Sequence, residues 1–156
     1  MPSRRDAIRM TPAEIRAYLG EAIRIILVTI GADGMPHPVP MNYGLDEDGR
    51  ILITSFARSQ KVRNLERDPR ASLLVESGDS YDSLKAVIAF ADAEIVRDAD
   101  AVRAGMNRIR APGVMAQSLS DAMSEQVRAS IAKRVLLRFT PFRHVSWDHG
   151  KIAGLY

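Results

Sequence analysis

A chain of 156 residues with 22 basic and 19 acidic residues, 46% hydrophobic and 26% charged, is the size of one domain with a core of its own. The lack of cysteine excludes disulfides, thiol nucleophiles and thiolate metal sites. A net charge of +3 suits small anionic ligands. A nucleic-acid surface needs a denser basic stripe, with aromatics between the charges for single strands.

The chain opens on MPSRRDAIRM, which is basic without an apolar stretch, unlike a secretory leader, and points to the cytoplasm. Thr11-Pro12-Ala13-Glu14 predicts a helix start: threonine caps, proline takes the first helical position and glutamate completes a capping box. Ile15, Tyr18 and Leu19 form its apolar stripe, and Gly20 is the expected stop. Ile23 to Ile30 predicts a strand apolar on both faces, hence covered on both: one side by a barrel interior, the other by a helix or a partner subunit. The run Ile25 to Ile30 is strand-sized, far short of the roughly 18 residues a membrane helix needs.

Gly31-Ala32-Asp33-Gly34 is turn chemistry. Pro36, Pro38 and Pro40 then force extended backbone through Leu45 at a sheet edge. Asp46-Glu47-Asp48-Gly49 signals a second hairpin, so an antiparallel meander is expected. Ala71 to Glu76 is a further strand. Another runs from about Leu84 to Val96, with Ile88 and Phe90 giving way to Asp92 and Glu94 on one face, so the strand is expected to leave the core and bend. Asp98 and Asp100 lead a helix with Val102, Met106 and Ile109 as its stripe, broken at Ala111-Pro112-Gly113. Ser120-Asp121 opens another, with Leu119, Met123, Val127 and Ile131 recurring every four residues. Val135 to Thr140 and Phe142 to Asp148 read as two last strands, divided by Pro141. The sum is a mainly β (α+β) fold: a six- to seven-stranded antiparallel barrel with peripheral helices, one domain over 1–156.

The stretch from Ile51 to Arg70 carries most of the functional signal. Ile51, Leu52 and Ile53 begin a strand that closes with Thr54 and Ser55. After Phe56 and Ala57 a short helix follows, with Ser59 as its cap, Val62 and Leu65 facing a core, and Asp68-Pro69 as its stop. Arg58 and Lys61 share one side of its first turn. Hydroxyls, free N–H groups and two cations at a helix start suit a dianionic phosphate. A solvated basic helix is the plainer alternative, since Arg63, Arg67 and Arg70 add charge without any sign of a ligand.

Other constellations are weaker. His37, His144 and His149 lack metal-site spacing, and no metal is expected. No nucleophile elbow, Walker loop or dinucleotide fingerprint is present. Trp147 suits either core packing or the covering of a flat ring. No catalytic side chain is assigned.

Three segments, LVTIGADGMPHPVPMNYGL, ILITSFARSQKVRNLERDPRASLLVE and RVLLRFTPFRHVSWDHGK, resemble the pyridoxamine 5'-phosphate oxidase-like split β-barrel superfamily. The resemblance runs from about Ile23 to Lys151, and its most specific part is R-S-x-K-x-x-N-L-x-x-D-P-R after a hydroxyl-ended strand. It implies a homodimer with a cofactor, FMN or the deazaflavin coenzyme F420, in the groove between two barrels. It also implies Thr54, Ser55, Arg58, Ser59 and Lys61 around the phosphate, with Phe56 beside the ring. Pro40, Met41 and Asn42 would line the ring, while Trp147, with His149 and Lys151, would come from the second subunit. The vitamin B6 enzymes' R-x-x-x-L-K run and arginine-rich C-terminal segment are missing, so the resemblance is to the short flavin or deazaflavin reductase branch. It implies an oxidoreductase working by hydride transfer on a small molecule, with FMN ahead of F420. A non-catalytic flavin- or haem-binding module is the alternative of another class. A structural or nucleic-acid-associated barrel fits the weak charge and few aromatics poorly.

Overall fold

The computed structural model describes residues 3–110 and 125–153. In chain order these form α1 (Arg4–Ala7), α2 (Pro12–Glu21), β1 (Arg24–Ile30), β2 (Pro36–Asn42), β3 (Gly44–Leu45), β4 (Ile51–Phe56), α3 (Gln60–Arg67), β5 (Arg70–Ser77), β6 (Lys85–Val96), α4 (Ala99–Arg108), α5 (Glu125–Ala132) and β7 (Arg134–Asp148). The expected breaks and stripe positions at Ala111 to Gly113, Leu119 to Asp121 and Met123, and the Val127 side chain, lie outside the described residues.

All strand pairs are antiparallel, in one seven-stranded sheet of order β2-β1-β5-β6-β7-β4-β3. Its two edges, β2 and β3, are separated in the chain by Tyr43 alone. The sheet must therefore curl until its edges meet, which makes it a barrel split at that seam. Tyr43 is fully buried there and donates its hydroxyl proton to the Leu19 carbonyl at 2.6 Å. The extended run expected from Pro36 to Leu45 is thus two strands on opposite edges, and the two hairpins are not a continuous meander. At the seam α4 ends so close to β3 that a Cβ on Gly44 would stand 2.1 Å from the Arg108 carbonyl oxygen.

Local signals hold where they are chemically complete. Thr11 and Glu14 form the capping box of α2, which runs one residue past Gly20. The prolines of β2 sit on the edge, opposite Ile30, Val28 and Ile26. Asp46 accepts from the N–H groups of Asp48 and Arg50 in the β3–β4 turn, where Gly49 has φ 78°. The interior is filled from alternate positions: Ile25 and Leu27, Ile51 and Ile53, Leu73 and Val75, Val87, Ala89 and Ala91, Val135, Leu137 and Phe139. On β6 small alanines face inward, and Ile88 and Phe90, expected in the core, face out half-buried.

The pairing of β6 with β7 shifts register at Phe90 and Ala91. There Arg143 pairs with Phe90 and Pro141 with Ala91, so Phe142 is the extra residue of a bulge. Pro141 is accommodated at that bulge instead of ending a strand, and β7 is one element of 15 residues. A second small core packs Val102 and Met106 of α4 and Ile131 of α5 onto Leu52 and Leu136.

Among the described residues the two faces of β1 are covered unequally. Its inward residues Ile25, Leu27 and Thr29 are buried, whereas Ile26, Val28 and Ile30 are only half-buried. Neighbouring strands extend the same open face through Leu74, Ile88, Val145 and Trp147. No helix among the described residues is long and apolar enough to cross a membrane.

Candidate functional site

Helix α3 connects β4 to β5 and packs on the far end of β1. Val62 and Leu65 are buried beneath it. Asn64, fully buried, donates to the Thr29 hydroxyl at 3.0 Å and accepts from the Gln60 side chain at 2.8 Å. This polar tie was not anticipated. It fixes the rotation of α3, and so decides which groups its first turn presents.

At that first turn three of the expected residues converge. The Ser55 and Ser59 hydroxyl oxygens lie 2.9 Å apart, and the Lys61 ammonium donates to Ser55 Oγ at 3.2 Å. Ser59 occupies the N-cap, but its side chain makes no cap hydrogen bond, being turned to Ser55 instead. The first-turn N–H groups of α3 therefore keep no N-cap side-chain acceptor, and the positive end of the helix dipole is open. Burial pushes the Lys61 pKa below the usual lysine value, and among the described residues no carboxylate pairs with it. Arg58 is exposed on the connection.

Thr54 is not part of this convergence. Strand alternation puts it on the opposite face of β4 from Ser55, beside Phe56, with Leu136 and Arg134 across from them on β7. Phe56 is 50% exposed. The guanidinium of Arg134, a residue that sequence reading missed, lies 4.3 Å from its ring centroid.

Pro40, Met41 and Asn42 sit on the edge strand β2, opposite Ile26, Ile25 and Arg24. Met41 packs against the core, and Pro40 is exposed. Trp147 lies at the far end of β7, paired with Ala86. Ser55 pairs with Val135 at the near end. The intervening strand spans on the order of 40 Å at about 3.3 Å per residue. Within one chain Trp147 and the Ser55–Lys61 corner stay apart. Lys151 is engaged elsewhere, donating to Glu14 at 2.7 Å and to the Arg9 carbonyl at 2.8 Å. Its ammonium and the Thr11 N–H hold the Glu14 carboxyl down to about 2. The His149 ring packs edge-on against Tyr81, centroids 4.6 Å apart.

Known proteins share this fold. A conserved hypothetical protein of Mycobacterium tuberculosis superposes with a TM-score of 0.78 at 36% identity, over 97% of this chain and 92% of that one. An F420 reductase superposes at 0.62 with 21% identity, over 83% of this chain and 94% of the other, a likeness of fold. Over 53 residues the chain is 42% identical to a 5a,11a-dehydrotetracycline/5a,11a-dehydrooxytetracycline reductase of Streptomyces rimosus. That stretch is 32% of this chain and spans 37% of the reductase. The model of the pyridoxamine 5'-phosphate oxidase family matches residues 11–147, and the chain belongs to that family.

Proposed function

We propose that this chain is a homodimeric oxidoreductase that binds a flavin-type cofactor, FMN ahead of coenzyme F420, and transfers hydride to or from a small molecule. The observation that carries the reading is the corner at the start of α3. Two hydroxyls within 2.9 Å of each other, a half-buried lysine at 3.2 Å and an uncapped helix start make a cradle for one phosphate. The fit is also electrostatic: an uncompensated, partly desolvated ammonium gains from an anion what burial costs it.

Ser55, Ser59 and Lys61 hold the phosphate, with Arg58 closing from the solvent side. Pro40, Met41 and Asn42 line the ring along the β2 edge. When bound, the ring supplies the hydride chemistry, and the protein's part is to hold it, orient it and exclude water. The 53-residue stretch that is 42% identical to a reductase supports an enzyme.

The half-buried face of β1, β5, β6 and β7 supports the second copy. An apolar face of that extent is normally an interface. Trp147 lies on it, so a dimer formed there is the means by which Trp147 reaches a cofactor held by the other copy's corner. Titration of the purified protein with FMN, followed by flavin fluorescence and absorbance, tests the reading. Saturable binding of FMN with much weaker binding of riboflavin is expected. Equal binding of both would remove the phosphate from the account.

A further inference from the structure

The end of β4 carries a second cationic position, on the face away from Ser55. Phe56 and Arg134 are cross-strand partners, and the guanidinium lies 4.3 Å from the phenyl centroid. The phenyl ring is half exposed, although it sits at the end of an otherwise buried strand. Arg134 Nε is buried with no hydrogen-bond partner, and among the described residues no carboxylate pairs with the guanidinium. Arg50, Arg70, Arg97, Arg108 and Arg138 all have such a partner. Burial pushes the Arg134 pKa below the ordinary arginine value.

A half-buried guanidinium with its charge uncompensated is costly unless an anion comes to it. The neighbourhood adds to the charge. Ala57 N donates to the Lys133 carbonyl at 2.9 Å, which brings Lys133 and Arg134 beside the connection that carries Arg58. The guanidinium carbon lies over the phenyl ring, and its terminal N–H groups, which make no hydrogen bond among the described residues, are the ones left for a forked contact with an oxyanion.

We propose that Phe56 and Arg134 form a second anion-binding ledge, which receives a further charged group carried beyond the cofactor's first phosphate. This rests on the reading of Ser55, Ser59 and Lys61 as the first phosphate's cradle. The two positions lie on either side of one strand end, so the ligand that uses both has a flexible link between its anionic groups. The phosphate pair of FAD has one, with a purine that can stack on the open side of Phe56. The acidic tail of coenzyme F420 is the other source of the same chemistry. FMN, with a single phosphate, leaves the ledge empty.

Calorimetric titration of riboflavin, FMN, FAD and F420 into the wild type, Lys61→Ala, Arg134→Gln and Arg134→Lys tests the ledge, with thermal melts to establish folding. Arg134→Gln is expected to weaken FAD or F420 on the order of tenfold, the loss of one charge-assisted contact, and to change FMN less than twofold. A loss confined to FAD identifies a second phosphate, and one confined to F420 an acidic tail. Arg134→Lys should recover part of the loss, as a point charge without the fork, and serves if Arg134→Gln fails to fold. An Arg134→Gln protein that binds all four ligands as the wild type does, or loses FMN as strongly as FAD, overturns the ledge alone. A wild type that binds none of the four overturns the cofactor reading itself.

Discussion

β1 and β4 both carry apolar residues on both faces, and the chain treats them differently. Inward, both feed the barrel core, through Ile25 and Leu27 and through Ile51 and Ile53. Outward, Leu52 of β4 is covered by Val102, Met106 and Ile131. The outward residues of β1 have the edge prolines and half-buried neighbours beside them and, among the described residues, no helix over them. The cause is connectivity. α4 and α5 lie between β6 and β7 in the chain, and β7 pairs with β4, so both helices close over that end of the sheet. The second copy proposed above would offer that side of β1 a face of the same kind.

The largest effect that sharpens this contrast is a cavity. Leu136→Ala, under α4, should destabilise by about 2–5 kcal/mol in thermal or urea unfolding. Val28→Ala, on the open face of β1, should cost about 1 kcal/mol or less in the monomer. Equal losses at the two sites would mean that the face of β1 is as well covered as that of β4.

Ligand binding gives the next effect. Lys61→Ala should weaken FMN by roughly 1.5–3 kcal/mol, about ten- to a hundredfold, and leave riboflavin unchanged. Arg63→Ala, exposed on the same helix, is the control and should change neither. If both substitutions are harmless, the basic run is a solvated face. Trp147→Ala should cost about 1–3 kcal/mol of cofactor affinity with the barrel still folded. An unchanged affinity with a sharply lower melting temperature would return Trp147 to a packing role.

The smallest effect is a pH dependence. Glu14 is held down to about 2 from 4.5 by Lys151 and the Thr11 N–H. A depressed carboxylate contributes stability that is present above its unfolded pKa and lost as pH falls through the folded one. The clamp between the C-terminal segment and α2 should therefore weaken between about pH 4.5 and 2. Asp68, also lowered to about 2 by Arg70, titrates in the same window. The difference between the melting curves of wild type and Glu14→Gln isolates the clamp. Parallel curves would show that Glu14 adds nothing.

How much of this was legible in the sequence depends on the range of the interaction. The capping box at Thr11 and Glu14, both hairpin turns and the Ser55–Lys61 corner each lie within seven residues and were readable as local chemistry. Strand alternation already separates Thr54 from Ser55, though the hydroxyl pair was read as a unit. Arg134 was invisible because its partner Phe56 lies far back along the chain. Tyr43 gave no local sign of joining opposite sheet edges, and Pro141 read as a break because the bulge that accommodates it is formed with β6. Apolar residues on both faces of β1 and of β4 could not reveal which strand the helices would cover.

The central claim is that one site takes its phosphate corner from one copy and Trp147 from the other. Mixed dimers test it most directly. Lys61→Ala and Trp147→Ala chains, each weak in FMN binding, are co-expressed with different tags and the mixed dimer is isolated. It holds one site with both defects and one with neither, so FMN should bind with wild-type affinity at one site per dimer. A mixed dimer that binds FMN no better than its two parents, while folded and dimeric, would contradict the account.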